Sequence, residues 1–359
     1  MVGPSFEELD AGNLHGCECP KEASQGMLNY IVQRVLRIIP MLFLLSILAF
    51  FIIQLPPGDY LTEHLNRLRA SGFDVDEAEV ARLERMYALD RPMHIQYVRW
   101  ITNIITRLDF GLSFEWNKPV KDVIGERIVL TFVMAMSTTV FVWAVAIPIG
   151  IYVSVKQYTV ADYFFTFLGF IGLATPGFLV AMVLMYVAYS RFGIKVGGLF
   201  STDYELAPWS WAKVQDLMGH IWVPIAILGI GGTASLIRTM RATMLDELRK
   251  QYVTVARAKG LSEFMVLMKY PVRIAVNPLI STIGWLLPWF FSGGTIVAIV
   301  LNLPTAGPVL WRSLMSQDMF LAGSYILISG TLTAAGSLVS DILLAVIDPR
   351  VRFGRLEAT

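Results

Sequence analysis

Long runs without a charged residue alternate along this chain with short charged segments. Between Arg37 and Asp59 lie 21 uncharged residues, and Arg127–Lys156 and Asp162–Arg191 each bracket 28. Asp216–Arg238 brackets another 21. Arg273–Arg312 encloses 38, too many for one span and broken by Asn302-Leu303-Pro304. The last window opens after Asp318 and stays apolar past Asp341 to Ile347. A helix rises about 1.5 Å per residue, so about 20 residues cross a hydrocarbon core about 30 Å thick. The pattern predicts six transmembrane helices, over 34–55, 128–156, 163–190, 219–238, 278–301 and 323–347. Buried helices of a soluble core are usually shorter, and six such windows leave too little polar surface to cover them. The first 33 residues lack an early apolar stretch and no A-x-A site follows the first span, so no cleavable signal peptide is expected.

Composition agrees: 55% of the 359 residues are apolar and 16% charged, against about 45–50% and about 25% in soluble domains. The deficit is in charge, which marks a chain partly solvated by lipid. A net charge of +1 argues against a nucleic-acid partner, which needs a basic excess. Two cysteines, Cys17 and Cys19, exclude a disulfide scaffold. Lys and Arg set orientation. With both termini inside the cell the split is 15 inside against 14 outside, but ten of the outer ones lie in the 56–127 loop. That loop is too long for the positive-inside rule; without it the count is 15 against 4, which predicts cytoplasmic termini.

The chain therefore divides into a cytoplasmic tail (1–26), a first span with its lead-in (27–55), an extracytoplasmic loop (56–127), a five-span core (128–347) and a C-terminal tail (348–359). His15, Cys17 and Cys19 in the first tail lack a fourth ligand and read as inert rather than as a metal site. The 56–127 loop shows helical spacing over 74–90 and is expected to form a small subdomain. Trp209 and Trp211 read as interfacial anchors. Residues 302–322 suggest a short re-entrant or surface-lying helix.

The segment 239–277 carries the most information. Leu245, Leu248, Tyr252 and Val255 recur every three or four residues, which predicts one stripe on a 245–260 helix. Gly260 suits a left-handed C-cap and Ser262 the N-cap of a second helix containing Phe264, Leu267 and Met268. An apolar face on a cytoplasmic hairpin must pack on something, either the spans or a partner groove. Catalytic signatures are missing: the chain holds no Gly-Lys dipeptide, no H-E-x-x-H and no G-x-S-x-G. Asp341 is the one carboxylate embedded in apolar sequence. Its place near a span end favours helix packing or interfacial hydrogen bonding over a proton relay.

The run Tyr252-Val253-Thr254-Val255-Ala256-Arg257-Ala258-Lys259-Gly260-Leu261-Ser262-Glu263, with Asn277-Pro278 after it, resembles the cytoplasmic coupling loop of ABC importer permeases. The oligopeptide/dipeptide/nickel class is nearest. Leu55-Pro56-Pro57-Gly58-Asp59, Leu89-Asp90-Arg91-Pro92, Asp109-Phe110-Gly111-Leu112-Ser113, Thr175-Pro176-Gly177-Phe178 and Asp348-Pro349-Arg350 follow in the family's order. The similarity covers about 27–354. Ala256 and Gly260 match the general importer motif, whereas Thr254 and Val255 replace an acidic residue and an alanine. The Leu-Pro-Pro-Gly-Asp-Tyr form at 55–60 is similar to members associated with oligosaccharide uptake.

The resemblance implies an all-α polytopic fold of type I importer architecture, with six transmembrane helices and a small extracytoplasmic subdomain. It implies half of a pore in a bacterial or archaeal plasma membrane, completed by a second homologous permease, two ABC ATPase subunits and an extracytoplasmic solute-binding protein. ATP and Mg would be bound by the ATPases, with no cofactor and no catalysis on this chain. Cargo would be peptides, with oligosaccharides or another small solute as the alternative, and a secondary carrier or channel as the reading outside the family. The coupling residues would be Leu245, Leu248, Tyr252 and Val255–Glu263. Pro176, Gly177, Trp285, Trp289 and Phe290 are candidates for the translocation path, with lipid or helix packing as the other reading of the aromatics.

Overall fold

A backbone in lipid has no water to bond, so its N–H and C=O groups must pair within the segment, and charge-free windows fold as helices. The computed structural model describes residues 20–54, 91–113, 115–194, 196–205, 207–283, 289 and 294–347. Its elements are α1 (Pro20–Gln54), α2 (Met93–Arg107), the strands β1 (Leu112–Ser113) and β2 (Lys118–Pro119), then α3 (Val120–Val155), α4 (Val160–Ala174) and α5 (Gly177–Phe192). There follow α6 (Trp211–His220), α7 (Trp222–Leu248) and four short helices, α8 (Gln251–Ala258), α9 (Glu263–Lys269), α10 (Pro271–Ala275) and α11 (Asn277–Ser281). The described chain closes with α12 (Thr295–Val300), α13 (Ala306–Met315) and α14 (Met319–Ile347).

Among the described residues, four helices are long and apolar enough to cross a membrane: Ile31–Phe51 within α1, α3, α7, and Met319–Leu344 within α14. The bent pair α4 and α5 makes a fifth span if it is counted as one. Expected as a straight span over 163–190, this pair bends by 98°. Proline disfavours helical backbone at the residue before it. Thr175 accordingly turns extended at φ −93°, ψ 120°, and Pro176 restarts the chain as the N-cap of α5. The span expected over 278–301 falls partly outside the described residues, which give α11 and α12 at its two ends.

α3 and α7 form the axis of the described core. Along one half, Leu130, Met134, Ile227 and Leu228 pack with Ala181, Leu199 and Leu301; along the other, Ala146, Val153, Met240 and Met244 pack with Val272, Ala275 and Leu279. A Cβ on Gly150 would lie 2.7 Å from the Met240 Cβ, so these two backbones approach more closely than any side chain at 150 would permit. α1 packs on α14, and near one end Arg34 Nη2 donates to Asp341 Oδ1 at 3.0 Å.

In the segment after α1, residues 55–90 lie outside the described residues, and with them the helix expected over 74–90. The described part packs on the spans and has no separate core: Trp100 and Ile104 of α2 cluster with Phe50 and Leu327, and Tyr97 shares a 2.7 Å hydrogen bond with Ser46. β1 and β2 pair antiparallel, Leu112 opposite Pro119 and Ser113 opposite Lys118. Buried Asp318 caps α14 by accepting from the Leu321 N–H at 3.1 Å, and it ties in this hairpin by accepting from Ser113 Oγ at 2.6 Å. The short helix expected in 302–322 is α13. Its buried face, Ala306 and Val309, packs with Val120 and Ile124 of α3 and Leu321 and Tyr325 of α14.

Candidate functional site

The expected 245–260 helix is two helices. α7 stops at Leu248, Lys250 is extended (φ −77°, ψ 149°), and α8 begins at Gln251. Leu245 and Leu248 thus belong to α7, while Tyr252 and Val255 belong to α8, and the predicted stripe is broken. Leu248 packs with the Met240 and Met244 cluster. The side chains that α8 buries are Val253 and Ala256, against Val266 of α9, with Tyr252, Leu261 and Tyr270 around them. Val255 faces outward at 51% exposure.

The turn from α8 to α9 follows from its residues. Gly260 is left-handed at φ +76°. Its N–H donates to the Arg257 carbonyl at 2.9 Å and the Leu261 N–H to the Ala256 carbonyl at 3.4 Å, the pair of bonds that ends a helix in a Schellman motif. The contact of Leu261 with Ala256 supplies the accompanying apolar closure. A Cβ at 260 would meet nothing within 4 Å, so conformation rather than space requires glycine. Ser262 occupies the expected N-cap of α9, but its side chain makes no capping bond. Arg257 clamps Glu263 across the turn, with Nη2 to Oε1 at 2.6 Å and Nε to Oε2 at 3.1 Å.

The guanidinium of Arg257 holds the Glu263 carboxyl below its ordinary value of 4.5. Because the folded value is depressed, the clamp contributes fully above about pH 4.5 and is lost as the pH falls through the folded value. Hydrogen exchange should therefore show wild type better protected than Glu263→Gln across residues 260–262 at about pH 6, with the difference smaller at about pH 3. Equal protection at both pH values would contradict the clamp.

Outside this small core the loop presents an apolar face. Phe264 is 73% exposed, and Val255, Met265, Met268 and Ile274 are exposed too. Arg257, Ala258, Lys259, Gly260, Ser262 and Glu263 are exposed as well. The loop is fastened to α7 through Val272 and Ala275 of α10, which pack on Met240 and Met244. A second fastening is polar. Glu247, in the last turn of α7, accepts from Lys250 Nζ at 2.8 Å and from the Tyr252 hydroxyl. Burial, reinforced by the Glu247 carboxylate, pushes the Tyr252 phenol up, so it stays protonated as the donor.

Of the path candidates, Pro176 and Gly177 sit at the α4–α5 bend, where a Cβ on Gly177 would lie 3.3 Å from Val297 Cγ2. Trp289 is 44% exposed, while Trp285 and Phe290 lie outside the described residues. His15, Cys17 and Cys19 also lie outside them, and among the described residues no group of three or more His, Cys, Asp or Glu is placed to hold a metal.

Among the described residues, further charged sites escape the sequence reading. Asp162, 2% exposed, takes Nε and Nη2 of Arg241, both at 2.8 Å. It also accepts from the Tyr158 N–H at 3.0 Å, and its own N–H donates to Thr159 Oγ1 at 3.4 Å. The Thr159-x-x-Asp162 capping box was the available signal. Lys213, 2% exposed, donates to the Ala207 carbonyl at 2.7 Å and lies over the rings of Phe200 (4.8 Å) and Trp209 (5.1 Å). Trp209 is thus part of a cation cage, whereas Trp211 is 74% exposed.

The described chain is a multi-pass helical protein with a loop of short helices at the end of α7. Residues 146–353 match the model of the binding-protein-dependent transport system inner membrane component, and 27–135 match its N-terminal companion. The chain belongs to this family of ABC importer permeases. Among its relatives, the oligopeptide transport system permease protein AppB of Bacillus subtilis is 31% identical over 329 residues, 91% of this chain and 100% of the relative. The oligopeptide transport system permease protein OppB of Haemophilus influenzae is 28% identical over 328 residues, with the same coverage of both chains. The glutathione transport system permease protein GsiC of Escherichia coli is 31% identical over 329 residues, again 91% of this chain and all of the relative. The chain is a permease subunit and not itself an enzyme; in this class ATP is hydrolysed by partner subunits.

Proposed function

We propose that this chain forms half of the pore of an ATP-driven peptide importer and that the 249–275 loop is where a partner ATPase drives it. The observation that carries the reading is the exposed face of Val255, Phe264, Met265 and Met268, built on a left-handed glycine turn and clamped to the end of α7. Apolar side chains held out from a small packed core need a partner surface. An ATPase groove would cover them, and closure of the ATPase pair would swing the loop and α7 with it. A lever of this kind supplies the two-state element that coupling requires.

The remaining architecture follows the family. Six spans would be completed by one across 278–301, both termini would be cytoplasmic, and the 56–127 segment would cap the outer side. A second permease, two ATPases binding ATP and Mg, a solute-binding protein and membrane lipid would be the partners. Peptide cargo is supported by the oligopeptide and glutathione systems to which the relatives belong.

Replacing Phe264 with Ser removes the largest exposed apolar group of the loop without touching the Val253, Ala256 and Val266 core. Burial of a Phe contributes about 1.5–3 kcal/mol, so ATPase affinity should fall by about 10- to 150-fold, measured by titrating purified ATPase onto the permease pair in nanodiscs. Unchanged affinity would remove this face from the interface. For the function itself, proteoliposomes holding all four membrane-bound subunits should take up peptide only with ATP and binding protein present. Uptake of oligosaccharide in place of peptide would overturn the cargo, and uptake without ATP would overturn the transporter class.

A further inference from the structure

The joint between α7 and α8 is mechanically weak by construction. The helical ladder is interrupted at Arg249 and Lys250, and Lys250 is extended. Two such residues can flex about their backbone dihedrals, and a push on α8 would then be absorbed before reaching α7. One side-chain arrangement spans the joint. Glu247 stands in the last turn of α7 and Tyr252 in the first turn of α8. The Tyr252 hydroxyl donates to Glu247 Oε2 while Lys250 Nζ donates to Oε1 at 2.8 Å. The Tyr252 ring is set in the loop core, 6.0 Å from the Tyr270 ring between centroids.

The position of Glu247 makes this arrangement informative. A carboxylate near the C-terminus of a helix faces the negative end of the helix dipole, and Glu247 is also 8% exposed. Neither helix formation nor burial favours an acid there, so its partners must compensate. Both carboxylate oxygens are in fact bound, one by Lys250 within the break and one by Tyr252 on its far side.

We propose that Glu247 and Tyr252 form a positioning clasp that stiffens the α7–α8 joint, so that motion imposed on the loop turns α7. The proposal rests on the reading of this loop as the ATPase-driven element. A clasp of this kind contributes to transmission, not to ATP hydrolysis and not to the folding of the loop.

The test uses the complete transporter in proteoliposomes and reads substrate taken up per ATP hydrolysed. Tyr252→Phe keeps the ring in its core and loses only the bond. Its uptake per ATP should fall by about 2- to 30-fold, the range spanned by single-site changes in coupling, with ATP hydrolysis itself within about twofold. Glu247→Leu should behave alike, and the double variant should be no worse than either alone, because the two residues share one bond. Glu247→Gln, which keeps an acceptor for the hydroxyl, should recover most of the coupling. Wild-type uptake per ATP in both Tyr252→Phe and Glu247→Leu would overturn the clasp, as would hydrolysis and uptake falling in parallel. Gly260→Val in the same assay separates the two levels: if it too transports normally, the coupling-loop reading fails; if it alone uncouples, only the clasp fails.

Discussion

Gly260→Val should reduce ATP-driven uptake to background while leaving the chain in the membrane at its normal level, and Gly260→Asn should retain most of the transport. The left-handed backbone at φ +76° costs an L-residue about 1–2 kcal/mol, and a β-branched side chain suffers most there, whereas asparagine visits this region readily. The turn also holds the Gly260 N–H to Arg257 and the Leu261 N–H to Ala256, so a residue that refuses the conformation reorients α9 and with it Phe264. Since nothing lies within 4 Å of the built Cβ, bulk is not the cause. Uptake assays beside membrane immunoblots distinguish loss of coupling from loss of protein. Normal uptake by the valine variant would refute the assignment of this turn, and equal failure of the asparagine variant would refute its conformational cause.

Asp162→Ala should lower stability by about 1–3 kcal/mol, because it removes a buried, hydrogen-bonded carboxylate and leaves the partly exposed Arg241 without its partner. The pair joins the start of α4 to α7, with both carboxylate oxygens held at 2.8 Å. Arg241→Leu in the same chain should restore part of the loss, because it removes the stranded cation. Thermal unfolding of the single and double variants in detergent gives the coupling directly. A single variant as stable as wild type would show that the pair contributes nothing.

Among the described residues, four of the six charge-free windows coincide with helices long and apolar enough to cross a membrane, because lipid forbids unpaired backbone and penalises charge. Their edges marked the apolar stretch and not the helix. α3 begins at Val120, ahead of the expected 128, and α7 continues to Leu248, beyond 238. Charged residues form helices readily, and Arg241 does so within α7 with its charge held by Asp162. The bend in the third window was signalled by Pro176, but its 98° angle depends on what α4 and α5 pack against. The coupling stripe failed for a related reason. Leu245, Leu248, Tyr252 and Val255 keep helical spacing across Arg249 and Lys250, and spacing cannot report that the backbone turns extended between them.

What the sequence determined alone is what depends on neighbours a few residues away. Partition into lipid follows from local composition, the left-handed turn from a single glycine, and family membership from motifs in order. The tertiary structure decided which charges meet. Arg241 finds Asp162 across 79 residues and Arg34 finds Asp341 across 307. It also chose Val253 and Ala256 over Val255 as the buried face of α8, by setting α9 on that side. A side chain's partner depends on how close two distant segments are brought, and no local preference of the chain encodes that distance.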